Sequence, residues 1–338
     1  MPTLFAACFE GPQRPSFDVR CLKPGRQLPD GWGIGFYPKG EACASLLKEA
    51  APQQGAPRTD FVEAWDHLES SVFIVQLRTA HWGPLCVANT QPFVRSFARR
   101  DYLFAHAGSL ERKPDPASDA RFLPVGSTDS EALFCLLLER VERAGASSLG
   151  EIDPRTLQNW FEELRELGDL TLALCDGSDL LLYAGYGVEE LHICPLVPPL
   201  ETPVLGDADL MVDLAPGKAL PRKGLVASSH PLSDPQGGSA RFERLQPGRL
   251  LLVRQGAIVA DVPPPGTGSM PPPSLSSRWL QLRPDPAPVR TFEIRHLTVY
   301  SYSQPVQRST HVFRVEPLDD RLQRLERFDL SVSVDGKV

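Results

Sequence analysis

Residues 124–134 read PVGSTDSEALF, a glycine-containing loop that runs straight into an apolar stretch. Thr128 followed three residues later by Glu131 fits a capping box, in which a hydroxyl and a carboxylate take up backbone N–H groups of the first helical turn. Leu133, Leu136, Leu137 and Val141 then recur at helical spacing, so a helix is predicted here, ending near Gly145. Asp129 falls in the first turn, where the helix dipole favours an acid. Capping is the commoner duty of such a residue. A helix N-terminus also presents side chains into whatever cleft it borders, so the same carboxylate is a candidate ligand group.

Working outward, Asp153-Pro154 opens a second predicted helix, with Leu157, Trp160, Phe161 and Leu164 on one face and Gly168 past its end. Upstream, Phe61, Trp65 and Leu68 follow Thr59 at helical spacing, while VFIVQL (72–77) and YLFAH (102–106) read as buried strands. Two hairpins are expected. TLALC and LLLYAG flank Asp176-Gly177, and RLLLV and AIVA flank Gln255-Gly256. Strands clustered in hairpins and interleaved with helices imply sheet layers covered by helices, an α+β arrangement.

The chain has 338 residues, 42% of them hydrophobic and 23% charged, enough for a substantial core. A net charge of −7 gives no reason to expect nucleic acid or an anionic membrane as partner. No apolar run approaches the roughly 20 residues of a membrane span. The seven cysteines, Cys8, Cys21, Cys43, Cys86, Cys135, Cys175 and Cys194, lie far apart. With no secretory pattern near the start, a disulfide framework is not expected and a reducing cytoplasm is the default. No cluster has metal-ligand spacing, and no cofactor is expected. The 34 prolines are about twice average usage and concentrate in VPPPGTGSMPPPSLSSRWLQLRPDPAPV, 262–289, a semi-rigid linker. Domains are therefore expected at 1–261 and 290–338.

Several stretches taken in order add a resemblance. They are DGWGIGFY (30–37), QLRTAHWG (76–83), NTQPF (89–93), FAHAGSL (104–110), PVGSTDSEALF (124–134) and VASSHPLS (226–233). The succession resembles the class II glutamine amidotransferase domain, most closely its bacterial stand-alone type. The resemblance implies an N-terminal-nucleophile hydrolase fold, α+β with four α-β-β-α layers, acting on the side-chain amide of glutamine or of γ-glutamyl compounds. Arg78 matches the position that binds the ligand α-carboxylate, a role suited to a guanidinium fork. Asp129 matches the position that takes the α-ammonium, and Gly108 can offer a backbone N–H to the oxyanion. His106, Ala107, Thr128 and Trp32 are expected to line the cleft.

Two parts of the family's chemistry are altered. The family nucleophile is a cysteine at the mature N-terminus, with its own α-amine as base; this chain begins MPTLFAACFE, with proline at position 2. Thr3 and Cys8 are only remote substitutes, and Cys8 reads as a small core residue. The family pattern His-Asn-Gly is here His106-Ala107-Gly108, so the asparagine amide donor is replaced by a methyl group. Loss of one oxyanion donor costs roughly 10²–10³ in rate, and loss of a nucleophile on the order of 10⁶. The expectation is a protein impaired or inactive as a glutaminase that keeps its ligand pocket, a pseudoenzyme. An active amidohydrolase with a non-standard nucleophile is the alternative. Gln91 also stands where the pattern has histidine.

After the linker, TFEIRHLTVYSYSQPV and STHVFRVEP resemble the opening strands of the N-terminal β-sandwich of bacterial transglutaminase-like proteins. The resemblance implies a partial β-sandwich whose unpaired edges invite a protein partner, which gives a third reading, an interaction module for a transglutaminase-type protein.

Overall fold

The computed structural model describes residues 3–38, 41–53, 68–196, 204–214, 223–234, 241–266, 291–300 and 325–333. The chain divides into two compact units, Met1–Pro272 and Pro273–Val338, the division falling inside the proline-rich stretch.

The first unit is built on antiparallel sheets. One has seven strands in the order β14-β10-β13-β1-β5-β3-β4, comprising β1 (Thr3–Gln13), β3 (Gly31–Phe36), β4 (Ser45–Ala50), β5 (Ser70–Arg78), β10 (His192–Leu196), β13 (Gly224–Ser228) and β14 (Glu243–Arg244). A second has six in the order β16-β15-β9-β8-β7-β6, comprising β6 (Phe93–Phe97), β7 (Arg100–His106), β8 (Leu172–Cys175), β9 (Asp179–Tyr183), β15 (Leu250–Arg254) and β16 (Ala257–Val262). Three short strands, β2 (Ser16–Asp18), β11 (Val204–Gly206) and β12 (Met211–Asp213), form a third.

Side-chain alternation explains the layering, because successive residues of a strand face opposite ways. Phe5, Ala7 and Phe9 of β1, with Phe73, Val75 and Leu77 of β5, join one core cluster beneath the three-stranded sheet. Tyr102 and Phe104 of β7, Leu172 and Leu174 of β8, and Leu181 and Tyr183 of β9 join another under two helices, α1 (Asp129–Arg143) and α2 (Pro154–Leu164). The intervening residues, Leu4, Ala6, Cys8, Ile74, Leu103, Ala105, Ala173 and Cys175, are buried on the opposite strand faces, where the two large sheets meet. Many are small, which suits close approach. A Cβ added to Gly35 on β3 would already meet Leu103 of β7 at 3.2 Å.

The anticipated hairpins form. β8 pairs with β9 across Asp176-Gly177, where Asp176 Oδ1 accepts from the Ser178 and Asp179 amides. β15 pairs with β16 across Gln255 and Gly256, whose φ values of 49° and 72° fit the mirror-image turn of a tight hairpin. Asp153 caps α2 by accepting from Arg155 N and Thr156 N. β16 ends at Val262, where Gln158 of α2 donates to the Val262 and Pro263 carbonyls.

The three-stranded sheet packs on the outer face of the seven-stranded sheet through Phe17, Leu205 and Val212. The helix predicted around Phe61 and Trp65 lies outside the described residues, apart from buried Leu68. In the second unit, residues 291–300 and 325–333 carry no strand pairing, and the rest of the expected strands lie outside the described residues.

Tyr37 is buried between the sheets with its hydroxyl 2.8 Å from Asp101 O and 2.9 Å from Cys175 O, tying the end of β3 to the six-stranded sheet. Removing that hydroxyl leaves buried carbonyls short of a donor, which costs about 1–3 kcal/mol. Tyr37→Phe is accordingly expected to lower the unfolding free energy by that amount in urea titrations, with the m-value unchanged.

Candidate functional site

A cavity of about 550 Å³ opens at one end of the sandwich, where β5 and β7 finish and α1 begins. It gathers Gln76 and Arg78 from β5, His106 from β7, the turn 107–109, Thr128, Asp129 and Ser130 at the start of α1, and Asp169. Its mouth includes Arg165, Tyr186, Val188 and Glu189.

Arg78 ends β5 on the strand face that looks between the sheets. Its Nη2 donates to the Trp82 carbonyl at 2.8 Å, while Nη1 is buried with no partner among the described residues. Asp30 braces the turn, its amide donating to Arg78 O and its carboxylate accepting from Ala80 N. Burial lowers the Arg78 pKa, and the carboxylates of Asp30 and Asp129 oppose the shift. A guanidinium remains charged under such a perturbation.

At the head of α1 the two duties foreseen for one stretch fall on different residues. Thr128 is the cap, its hydroxyl accepting from Glu131 N at 3.2 Å. Glu131 does not complete a capping box. Its carboxylate instead accepts from Val125 N and Gly126 N and pairs with Arg95, fixing the loop ahead of the helix. Asp129 is thereby left out of capping, and its Oδ2 accepts from Leu110 N at 2.7 Å.

His106 settles the other Asp129 oxygen. Its Nε2 lies 2.6 Å from the Asp169 carbonyl and must carry a proton to bond there. Complete burial lowers the His106 pKa, so the neutral ring with a bare Nδ1 is favoured. Ser130 Oγ, 3.0 Å from Nδ1, then donates to it. A hydroxyl has one proton. Asp129 Oδ1, 3.3 Å from the same Oγ, is left without that donor and remains available to a cation. Gln91 fixes the His106 backbone, accepting from its amide and donating to its carbonyl.

Beside this lies the turn Ala107-Gly108. The Ala107 amide donates to Thr171 O at 2.8 Å, and its side chain is a methyl. The Gly108 amide meets no acceptor among the described residues. Only glycine fits there, since an added Cβ would lie 2.3 Å from the Asp169 carbonyl oxygen. Asp169 also takes the Glu189 amide on Oδ2 and the Thr171 amide and hydroxyl on Oδ1, joining the mouth loop to the cavity wall.

The cavity thus brings together Arg78, Asp129, Gly108, His106, Ala107 and Thr128. Trp32 does not line it. Trp32 packs in the outer core beneath the three-stranded sheet and reaches Glu49 through Nε1, because its position on β3 faces away from the second sheet. Cys8 lies in the layer between the sheets, with Gly256 N donating to its sulfur, and burial pushes its thiol up to about 12. Thr3 opens β1 in register with Leu77, the residue before Arg78. The sequence reading missed Gln76, Ser130 and Asp169. The signal for Gln76 was there: a lone polar residue in the otherwise apolar run VFIVQL, 72–77. Asp169 carried no such signal, following a glycine that read only as a helix stop. Among the described residues no group of His, Cys, Asp and Glu could hold a metal ion, and no helix is long and apolar enough to cross a membrane.

Residues 1–276 match the sequence profile of the glutamine amidotransferases class-II. The chain belongs to that family. An uncharacterized protein of Methanocaldococcus jannaschii is 30% identical over 239 residues, covering 68% of this chain and 62% of the relative, so the chain spans less than two thirds of that protein. The "putative glutamine amidotransferase YafJ" of Escherichia coli K12 is 28% identical over 232 residues, 68% of this chain and 87% of YafJ. The crystal structure of a Pseudomonas aeruginosa PA01 protein, described as a predicted glutamine amidotransferase, superposes with a TM-score of 0.60 at 26% identity. It covers 76% of this chain and 99% of that one. The fold is the α+β fold of the N-terminal-nucleophile hydrolases, as the motif order implied. Residues 292–338 match the bacterial transglutaminase-like N-terminal region.

The buried imidazoles make stability depend on pH. Burial depresses the pKa values of His106 and His192 below the ordinary 6.5, so the unfolded chain binds protons more readily than the folded one. Stability is therefore lost as pH falls through about 6.5 toward the folded values. The melting temperature is expected to drop between pH 7 and pH 5, with a shallower slope in His106→Gln, measured by circular dichroism.

Proposed function

We propose that this chain binds glutamine or a γ-glutamyl compound in the cavity and is impaired or inactive as a glutaminase. The observation that carries the reading is a pair of open valences on one wall. Arg78 keeps a buried Nη1 without an acceptor among the described residues, and Asp129 Oδ1 has only a long 3.3 Å contact with the Ser130 hydroxyl, whose one proton His106 Nδ1 draws at 3.0 Å. An α-carboxylate and an α-ammonium satisfy them together, and charge-assisted hydrogen bonds of this kind are the strong ones. The chemistry is reduced beside them. No cysteine lines the cavity among the described residues, the residue ahead of β1 is Pro2, and Ala107 offers no side-chain donor. Cys8, as the substitute nucleophile of an active amidohydrolase, would have to ionise in a dry layer that holds its thiol near 12.

Isothermal titration calorimetry tests the reading. Wild-type protein is expected to bind L-glutamine, with Arg78→Ala and Asp129→Ala each weakening it roughly 10- to 100-fold, while ammonia release stays at the blank. No binding by wild type removes the ligand reading. Ammonia release with an affinity label on any cavity side chain removes the inactivity. Conversely, a chain starting at a cysteine in place of Pro2 and carrying Ala107→Asn is expected to gain measurable ammonia release.

A second reading concerns the tail. We propose that residues 292–338 pair with a transglutaminase-type protein partner. The support is the match to that region together with two alternating pairs of exposed apolar residues, Phe292 with Ile294 and Leu297 with Val299, all more than 70% exposed. Charged or aspartate substitutions at Ile294 and Leu297 are expected to abolish co-purification with such a partner; failure of the intact chain to co-purify with one counts against it.

A further inference from the structure

We infer that Gln76 reads the side-chain amide of the bound ligand, so that the cavity selects a carboxamide over a carboxylate. The inference rests on the ligand reading above and assigns a residue that the family resemblance does not.

Gln76 is 2% exposed and lies on the cavity wall, two residues before Arg78 on the same face of β5. Its Oε1 is buried and has no hydrogen-bond partner among the described residues. Its Nε2 makes only a long contact of 3.5 Å with the Leu77 carbonyl. That contact still fixes the orientation of the amide, because the reversed side chain would set two oxygens against each other. Among the described residues no donor reaches Oε1. On the flanking strands the register partners are Leu4 and Gly33. The Gln91 amide is engaged at both ends by the His106 backbone, and its own carbonyl lies over Gly33, where an added Cβ would come within 2.3 Å. These neighbours of Gln76 are apolar or already engaged.

A buried acceptor without a donor is rare in folded proteins and calls for an explanation. A ligand N–H in the cavity supplies one. Arg78 Nη1 has the opposite need, and the two positions are separated by two residues of strand, about 7 Å. Wall and ligand then match in polarity as well as in charge. A glutamine laid along the end of β5 offers its carboxylate to Arg78 and its amide N–H to Gln76, with its ammonium toward Asp129. Glutamate satisfies Arg78 equally but brings a second carboxylate against Oε1 with no proton between them. A γ-glutamyl amide retains one N–H and is accepted. Sites built to hydrogen-bond a ligand N–H discriminate strongly against analogues that lack it. A binding pocket of this kind would respond to the amide and ignore its hydrolysis product.

The experiment is calorimetry on the full chain with L-glutamine and L-glutamate at pH 7, in wild type, Gln76→Met and Gln76→Leu. Wild type is expected to bind glutamine at least tenfold more tightly than glutamate, and both variants to bring that ratio close to one while leaving the pocket occupied. The wild-type ratio requires no variant and decides first. Equal binding of the two amino acids by wild type overturns this inference and leaves the ligand reading standing. So does an unchanged ratio in a folded Gln76 variant. Binding of neither amino acid by wild type removes the ligand reading and this inference together.

Discussion

The first unit depends on the layer where its two large sheets meet. Small side chains, Ala6 and Cys8 on β1, Ala105 on β7, Ala173 and Cys175 on β8, line it and exclude water. Inside it a polar group needs a partner of its own, as the Tyr37 hydroxyl finds in the Asp101 and Cys175 carbonyls. At the end of β5 the sequence changes from Ile74 to Gln76 and Arg78 on the same face, and the cavity opens there. Its walls are thus the sheets themselves. Groups carried on strands are held more closely than groups on loops, which limits the entropy lost when a ligand binds.

Around that opening, a few backbone groups set the direction of every useful side chain. The Asp169 carbonyl holds the His106 ring, and through its proton count this decides which way Ser130 donates. Asp129 is left with one oxygen engaged by Leu110 N and one available. Arg78 is similarly half engaged, by the Trp82 carbonyl. Both side chains line the cavity while anchored through one atom. Ala107 and Pro2, where the sequence departs from the family pattern, are residues distinct from these two.

Much of this was legible in the sequence where the signal was local. Both helices follow from apolar spacing plus a cap, Thr128 for one and Asp153 for the other. The two hairpins follow from their turn dipeptides. Arg78, Asp129 and Gly108 came from motif order, and the cavity does gather them. Trp32 was misplaced because strand alternation decides its face, and the face of β3 is known only once its neighbour across the layer is known. Glu131 was misread for a related reason: Arg95 and the loop amides at 125 and 126, distant or awkward in sequence terms, compete for its carboxylate.

Periodicity, capping residues and turn dipeptides are short-range properties, so the chain itself determined its two described helices and its two tight hairpins. The tertiary structure decided which polar atoms stay unsatisfied. Whether Gln76 Oε1 or Arg78 Nη1 has a partner depends on how β5, β7 and the start of α1 converge on the cavity. Hydrogen-bond satisfaction is a count over spatial neighbours, and residues 4, 33, 76, 106 and 130 become neighbours only when the sheets close on each other.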